Sequence, residues 1–297
     1  MKKIRVGIID SGINDCAVKS SVIAKNCIEK SEINVDKNGH GTMCAYIIEK
    51  YSNCDIVFYS YKIFEERLEA TETILCKALK LAYEDKLDFL NMSLSLHLTE
   101  SKEIRNRIRE LVDDGVVIVS AKSKTGKDTY FDKEKNVITV EGKAFENVKY
   151  EIKDIDRVAC DNTPIIAKWY KNEYDIIGGT SKATALYTAI LCRKYEGLAI
   201  EEIEKKIGKQ YALSAKEKGR VFKYISKYTG KDIDYLKALN TWESLEGKFF
   251  DDLVMMIRDL LGEDILDEET IYYTQINSME VFLKLMGNEV FYKCLDY

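Results

Sequence analysis

Proline is almost missing from this chain: Pro164 is the only one in 297 residues. Chain reversals therefore fall to Gly, Asn, Asp and Ser. Histidine is nearly as scarce, so any imidazole chemistry rests on His40 or His97. The eight cysteines, at 16, 27, 44, 54, 76, 160, 192 and 294, make no C-x-x-C pair. Several sit in apolar stretches, as buried thiols do. The simplest reading is free thiols in a reducing, cytoplasmic environment. No run of about 18 apolar residues is present, so no membrane span is expected. There is no secretory signal pattern: Met1-Lys2-Lys3 leads straight into a short apolar segment without a cleavage site. Basic residues are not clustered and the net charge is −5, which argues against nucleic acid as a partner. No internal repeat or low-complexity tract stands out.

What the chain does have is ample core material, at 46% hydrophobic residues. Its length suits one large domain plus a small one. Short apolar segments at 4–9, 55–63, 89–94, 116–121 and 136–141 read as strands. Helical periodicity fills 41–51, 69–84, 102–113 and 181–195 between or after them. This alternation predicts an α/β fold with a parallel sheet covered by helices on both faces. Sites in such folds gather at the carboxyl ends of strands, where Asp10 falls. The character changes after 213. The expected division is a main domain at 1–213, a linker or helical extension at 214–244, and a small helical module at 245–297.

Three short motifs follow one another: Val6-Gly7-Ile8-Ile9-Asp10-Ser11-Gly12, Asn38-Gly39-His40-Gly41-Thr42 and Gly179-Thr180-Ser181-Lys182-Ala183-Thr184-Ala185. Each key residue has an ordinary reading alone. Asp10 is a turn residue, His40 a structural histidine and Ser181 a helix N-cap. Together they supply an acid, a base and a nucleophile. A serine hydroxyl attacks only when a base takes its proton and an acid orients that base. Ser181 is thus the candidate nucleophile, His40 the general base and Asp10 the orienting carboxylate. Glycines flanking each residue permit close approach and sharp entry into a helix. Ser181 at a helix start offers its backbone N–H as an oxyanion donor. His97 has no comparable motif around it.

The order Asp, His, Ser with these glycines resembles the subtilisin-like serine peptidases, over roughly residues 3 to 191. The resemblance implies a subtilisin-like sheet and acyl-enzyme hydrolysis of a peptide or protein substrate, with no cofactor and no metal in the chemistry. It also implies a side-chain oxyanion donor, an Asn, where this chain has Ser123. Losing such a donor costs about 2.7–4 kcal/mol. The hydroxyl of Ser123 or the ammonium of Lys122 could stand in. The family's primary pocket is walled by glycines where this chain has Ser95 and Lys122. That implies a shallow pocket for Gly, Ala or Ser, or one where Lys122 selects an acidic residue; Lys122 pointing to solvent is the plain alternative. Ser93, Leu94 and Ser95 would offer backbone groups to an extended substrate, opposite residues 65–70. Glu65, Glu66 and Glu69 there could favour basic substrate residues or be ordinary surface. Secreted relatives carry a long pro-segment, whereas here the Asp motif begins within ten residues of the start. Either that segment was removed or the protein folds without one, the second reading being preferred.

Residues 245 to 285 resemble the first half of an acyl or peptidyl carrier domain. An amphipathic helix carries Phe249, Leu253, Val254 and Ile257, and an acidic loop leads to Ile276-Asn277-Ser278-Met279. Asn277 stands where carriers have Asp before the modified serine. Asn277 with Glu280 also reads as a helix cap. A degenerate carrier-like module used for recognition or packing is the preferred reading, and phosphopantetheine on Ser278 the other. By analogy, such a module points to a cytoplasmic protease for the leader of a ribosomally made peptide.

Overall fold

The structure, a computed structural model, describes residues 3–29, 31–33, 35–65, 70–94, 101–122, 131, 134–145, 150–171, 173–198, 213–238, 249, 252–253, 255–256, 259 and 279–286. Two compact units divide the chain. The first takes Met1–Asn162, Lys168–Asn172 and Gly179–Ile203; the second takes Thr163–Ala167, Glu173–Gly178 and Glu204–Tyr297.

Among the described residues, the first unit is built on an eight-stranded sheet. Its strands are β1 (Ile4–Asp10), β2 (Ser21–Asn26), β3 (Ile56–Lys62), β4 (Phe89–Met92), β5 (Val117–Ala121), β6 (Val137–Lys143), β7 (Tyr150–Asp154) and β8 (Arg157–Asp161). The order across the sheet is β2-β3-β1-β4-β5-β6-β8-β7. Neighbours run parallel except β7, which is antiparallel to β8 at one edge. The predicted α/β class is the observed one.

The four predicted helices of this unit form as α1 (His40–Ser52), α2 (Glu72–Glu84), α3 (Lys102–Asp113) and α4 (Gly179–Tyr195). Helix α2 begins three residues later than its apolar period suggests. The Thr71 side chain accepts from Ile74 N and fixes the start there. Helix α3 begins where Ser101 does the same for Ile104 N. Helices α1 and α4 pack on each other, and α2 packs on α3. Leu75, Leu79, Ile104, Ile108 and Leu111 bury the α2–α3 layer against Ile9, Leu90, Met92 and Ile118 of the sheet. Helix α4 is buried along most of its length, as suits a central helix.

Strands β2, β7 and β8 are not apparent from the apolar pattern. Nor are β9 (Ile165–Tyr170) and β10 (Glu173–Ile177), which pair as a separate two-stranded sheet.

The second unit has its own core, made by Ile166, Ile176, Val221, Ile225, Leu236, Leu253, Met256, Met279, Phe282, Leu283 and Met286. Its described helices are α5 (Ala215–Thr229), α6 (Ile233–Ala238) and α7 (Met279–Met286). Ser214 and Glu217 form a capping box at the start of α5, and Gly230 ends it in the left-handed region. Among the described residues, no helix is long and apolar enough to cross a membrane.

Candidate active site

Polar side chains gather where β1 and β4 end and where α1 and α4 begin. Asp10 is the last residue of β1, and its carbonyl accepts from Ile63 N at 2.8 Å. Its carboxylate is buried. Oδ1 accepts from Ser11 N at 2.8 Å, and both oxygens meet Nδ1 of His40, at 2.8 and 2.9 Å. With Nδ1–H donated to the carboxylate, Nε2 is the ring nitrogen that carries the basic lone pair.

His40 opens helix α1, and the next residue explains how it comes so near Asp10. A Cβ on Gly41 would lie 2.3 Å from Gly12 O and 2.9 Å from Asp10 Cβ. Only glycine lets the two loops touch. Gly41 N then donates to Ser11 Oγ at 2.9 Å. The N-cap residue, Gly39, sits at φ +82° and has no side chain with which to cap. Asp36 does that work from outside the helix. Its Oδ1 accepts from Gly39 N at 2.8 Å and Asn38 N at 3.1 Å; its Oδ2 accepts from Thr42 N at 3.0 Å and Thr42 Oγ1 at 2.6 Å. Burial pushes the Asp36 carboxyl above its ordinary range, while these donors pull it back. Asn14 ties the same loops together. Its amide donates to Asp36 O and Trp169 O, both at 3.0 Å, and its Oδ1 accepts from Asp36 N at 2.9 Å.

Ser181 lies in the first turn of α4, so its N–H has no carbonyl within the helix to bond. Two contacts with Ser93 hold it. Ser181 Oγ donates to Ser93 O at 3.4 Å, and Ser93 Oγ donates to Ser181 O at 3.2 Å. Ser93 is positioned in turn by Asn91 Nδ2 at 3.0 Å, and Asn91 Oδ1 accepts from Thr188 Oγ1 at 2.9 Å. A buried polar chain thus runs from the middle of α4 through the end of β4 and back to Ser181. Asn91 and Thr188 look like ordinary sheet and helix residues in the sequence; only the fold brings them within reach.

Cys44 adds a thiol beside this site. Atoms of Asp10, His40 and Cys44 lie within 4.8 Å of one another. The carboxylate and imidazole already bond to each other. Burial and the Asp10 charge push the Cys44 thiol well above its ordinary range, so it stays protonated. Among the described residues no other such grouping of potential metal ligands occurs.

The remaining expected site residues divide in two. Ser95, Ser123, Glu66, Glu69, Asn277 and Ser278 lie outside the described residues, as does His97. Leu94 is buried. Lys122 follows β5, where its N–H donates to Val140 O at 2.9 Å. Its side chain is partly exposed, and the ammonium lies 3.8 Å from Glu141 Oε2. Glu65 also has partners: it pairs with the buried Lys62 at 3.3 Å and accepts from the Ser31 hydroxyl.

The subtilase family model matches residues 1–147, the stretch holding Asp10, His40 and Ser93. Just under half of the chain therefore resembles the subtilase family, and Ser181 lies beyond the matched stretch. The chain is 24% identical to the minor extracellular protease Epr of Bacillus subtilis (strain 168), an alignment that covers 62% of the chain and 30% of that protein. The chain thus spans under a third of that relative's length. Among solved structures it superposes on a cold-adapted subtilisin-like serine proteinase with a TM-score of 0.55 at 18% identity, covering 73% of this chain and 85% of the other. Sphericase matches with a TM-score of 0.53 at 17% identity, over 71% and 85% of the two chains. At these identities the structural matches speak for the fold.

Proposed function

We propose that this chain is a subtilisin-like serine endopeptidase in which Asp10, His40 and Ser181 form the catalytic triad. The observation that carries the reading is the buried Asp10 carboxylate on Nδ1 of His40 at 2.8 Å. That bond fixes the tautomer a general base needs. In the reaction, Ser181 Oγ turns from Ser93 O and attacks the scissile carbonyl as Nε2 of His40 takes its proton. The imidazolium is stabilised by Asp10 and then protonates the leaving amine. The tetrahedral oxyanion is met by Ser181 N–H; Ser123, standing where the resemblance puts the family's Asn, is the side-chain donor that the sequence offers. Water, activated by His40, releases the acyl group.

The substrate would be an extended peptide meeting backbone groups of Ser93, Leu94 and Ser95; Ser95 and Lys122 standing where the family has pocket glycines support a narrow primary pocket, although the Lys122 ammonium itself lies by Glu141. Small or acidic residues are its preferred class on the acyl side. The eight cysteines without a paired motif support a cytoplasmic setting. There the substrate would be one specific peptide, such as the leader of a ribosomally made product. A second reading is a peptide-binding module with weakened catalysis, favoured by Ser123 standing in place of the family's oxyanion Asn. Incubation with a peptide library, read by mass spectrometry, separates these. The first reading predicts cleavage after small or acidic residues that vanishes in Ser181→Ala. Peptide retained but never cut favours the second, and cleavage after large aromatic residues contradicts the narrow pocket.

A further inference from the structure

Lysine is among the residues least often fully buried, because its ammonium loses hydration there. Lys182 is fully buried nonetheless, and it is the residue directly after Ser181. Its ammonium donates to Asp161 O at 2.9 Å and pairs with Asp161 Oδ2 at 2.5 Å. Asp161 is itself buried and ends β8. The next residue contributes as well: Asn162 O accepts from Gly179 N at 3.0 Å. The first turn of α4 is therefore held on two sides. Ser93, beyond β4, grips Ser181 itself; Asp161 and Asn162, at the end of β8, grip the residues around it.

We propose that the Lys182–Asp161 ion pair is a positioning device for the nucleophile, setting the rotation and depth of the first turn of α4 so that Ser181 Oγ meets His40. The Lys182 ammonium is engaged by Asp161, so its part is that of a positioning residue. The inference rests on the triad reading. Physical chemistry explains why a pair would stand where an apolar contact would be as stable. A buried ion pair gains little over well-packed apolar residues of the same volume. What it adds is direction, since the ammonium must reach both the carbonyl and the carboxylate of one residue. An apolar contact tolerates sliding of the helix end, and this pair does not. Displacements of about 1 Å can cost a catalytic site two orders of magnitude in rate.

The test separates support of the fold from placement of the hydroxyl. Three proteins are compared: the unaltered chain, Lys182→Met, and the double variant Lys182→Met with Asp161→Leu. Each is assayed for thermal unfolding and for its rate of reaction with a fluorophosphonate at Ser181, which needs no known substrate. Lys182→Met removes the Lys182 ammonium from the buried Asp161 carboxylate and is expected to lower both stability and labelling. The double variant removes both charges and is expected to regain the original unfolding midpoint. Its labelling nevertheless stays roughly 10- to 100-fold slower, because the directional hold is gone. Should Lys182→Met fail to fold, the double variant carries the comparison. A double variant that is as stable as the original and labels as fast overturns the inference and leaves the triad reading standing. An unaltered, folded chain that does not label at Ser181 overturns the triad reading, and this inference with it.

Discussion

The Nδ1 atom of His40 lies 2.8 Å from one carboxylate oxygen of Asp10 and 2.9 Å from the other. Ser11 N and Ser11 Oγ also donate to Oδ1, at 2.8 and 3.2 Å, so the carboxylate is fixed before the imidazole reaches it. Asp10→Asn keeps the shape but presents an amide to Nδ1 and selects the wrong tautomer. Peptide hydrolysis is expected to fall by roughly 10⁴-fold in kcat, with the unfolding midpoint little changed. Steady-state kinetics beside a thermal melt check this.

Gly41→Ala tests the contact between the acid and base loops. The new methyl would be 2.3 Å from Gly12 O, so the loops must part. Overpacking of this kind costs about 1–3 kcal/mol. Activity is expected to fall further than stability, because the Asp10–His40 bond opens with the loops. Urea unfolding and hydrolysis measured on the same preparation give the two numbers.

How the sequence reports this site differs from residue to residue. The motifs around Asp10, His40 and Ser181 announce themselves because glycines on either side leave a local mark. Helix α3 is visible to the residue because Ser101 caps it and its apolar face is regular. Strand β7 is not, since four of its five residues are exposed at a sheet edge and show no alternation. The capping box of Ser214 and Glu217 is a readable signal of α5, in a stretch that looks merely charged. Lys182 and Asp161 resemble surface residues in a linear reading; their burial appears only when β8 meets α4. The assignment of 163–167 and 173–178 to the second unit likewise depends on long-range packing.

Thr188→Val removes the hydroxyl that donates to Asn91 Oδ1, at the far end of the chain leading to Ser181. The substitution keeps the volume and leaves a buried acceptor without this donor. A loss of about 1–3 kcal/mol is expected from denaturant unfolding, with unchanged slope. The Ser93 contact loosens with it, so kcat should fall while KM holds.

The thiols give a pH prediction. Burial pushes Cys27 up to about 11, and pushes Cys44 and Cys192 well above the ordinary thiol range. Cys16 is exposed. Native protein treated with iodoacetamide at about pH 8, just below the free-thiol range, is expected to modify Cys16 and spare the other three, as peptide mass mapping would show. A folded-state value above the unfolded one stabilises the protein below the ordinary thiol range. That contribution is lost as pH rises through about 11 for Cys27, so alkaline unfolding should expose these thiols together.

The most direct test of the central claim is the intact mass of the native protein after a fluorophosphonate reaction, followed by peptide mapping. The triad predicts a single adduct, on Ser181, that forms in the unaltered chain and is lost or slowed by orders of magnitude in His40→Ala. A folded protein that takes no adduct on Ser181, or takes it equally fast without His40, would contradict it.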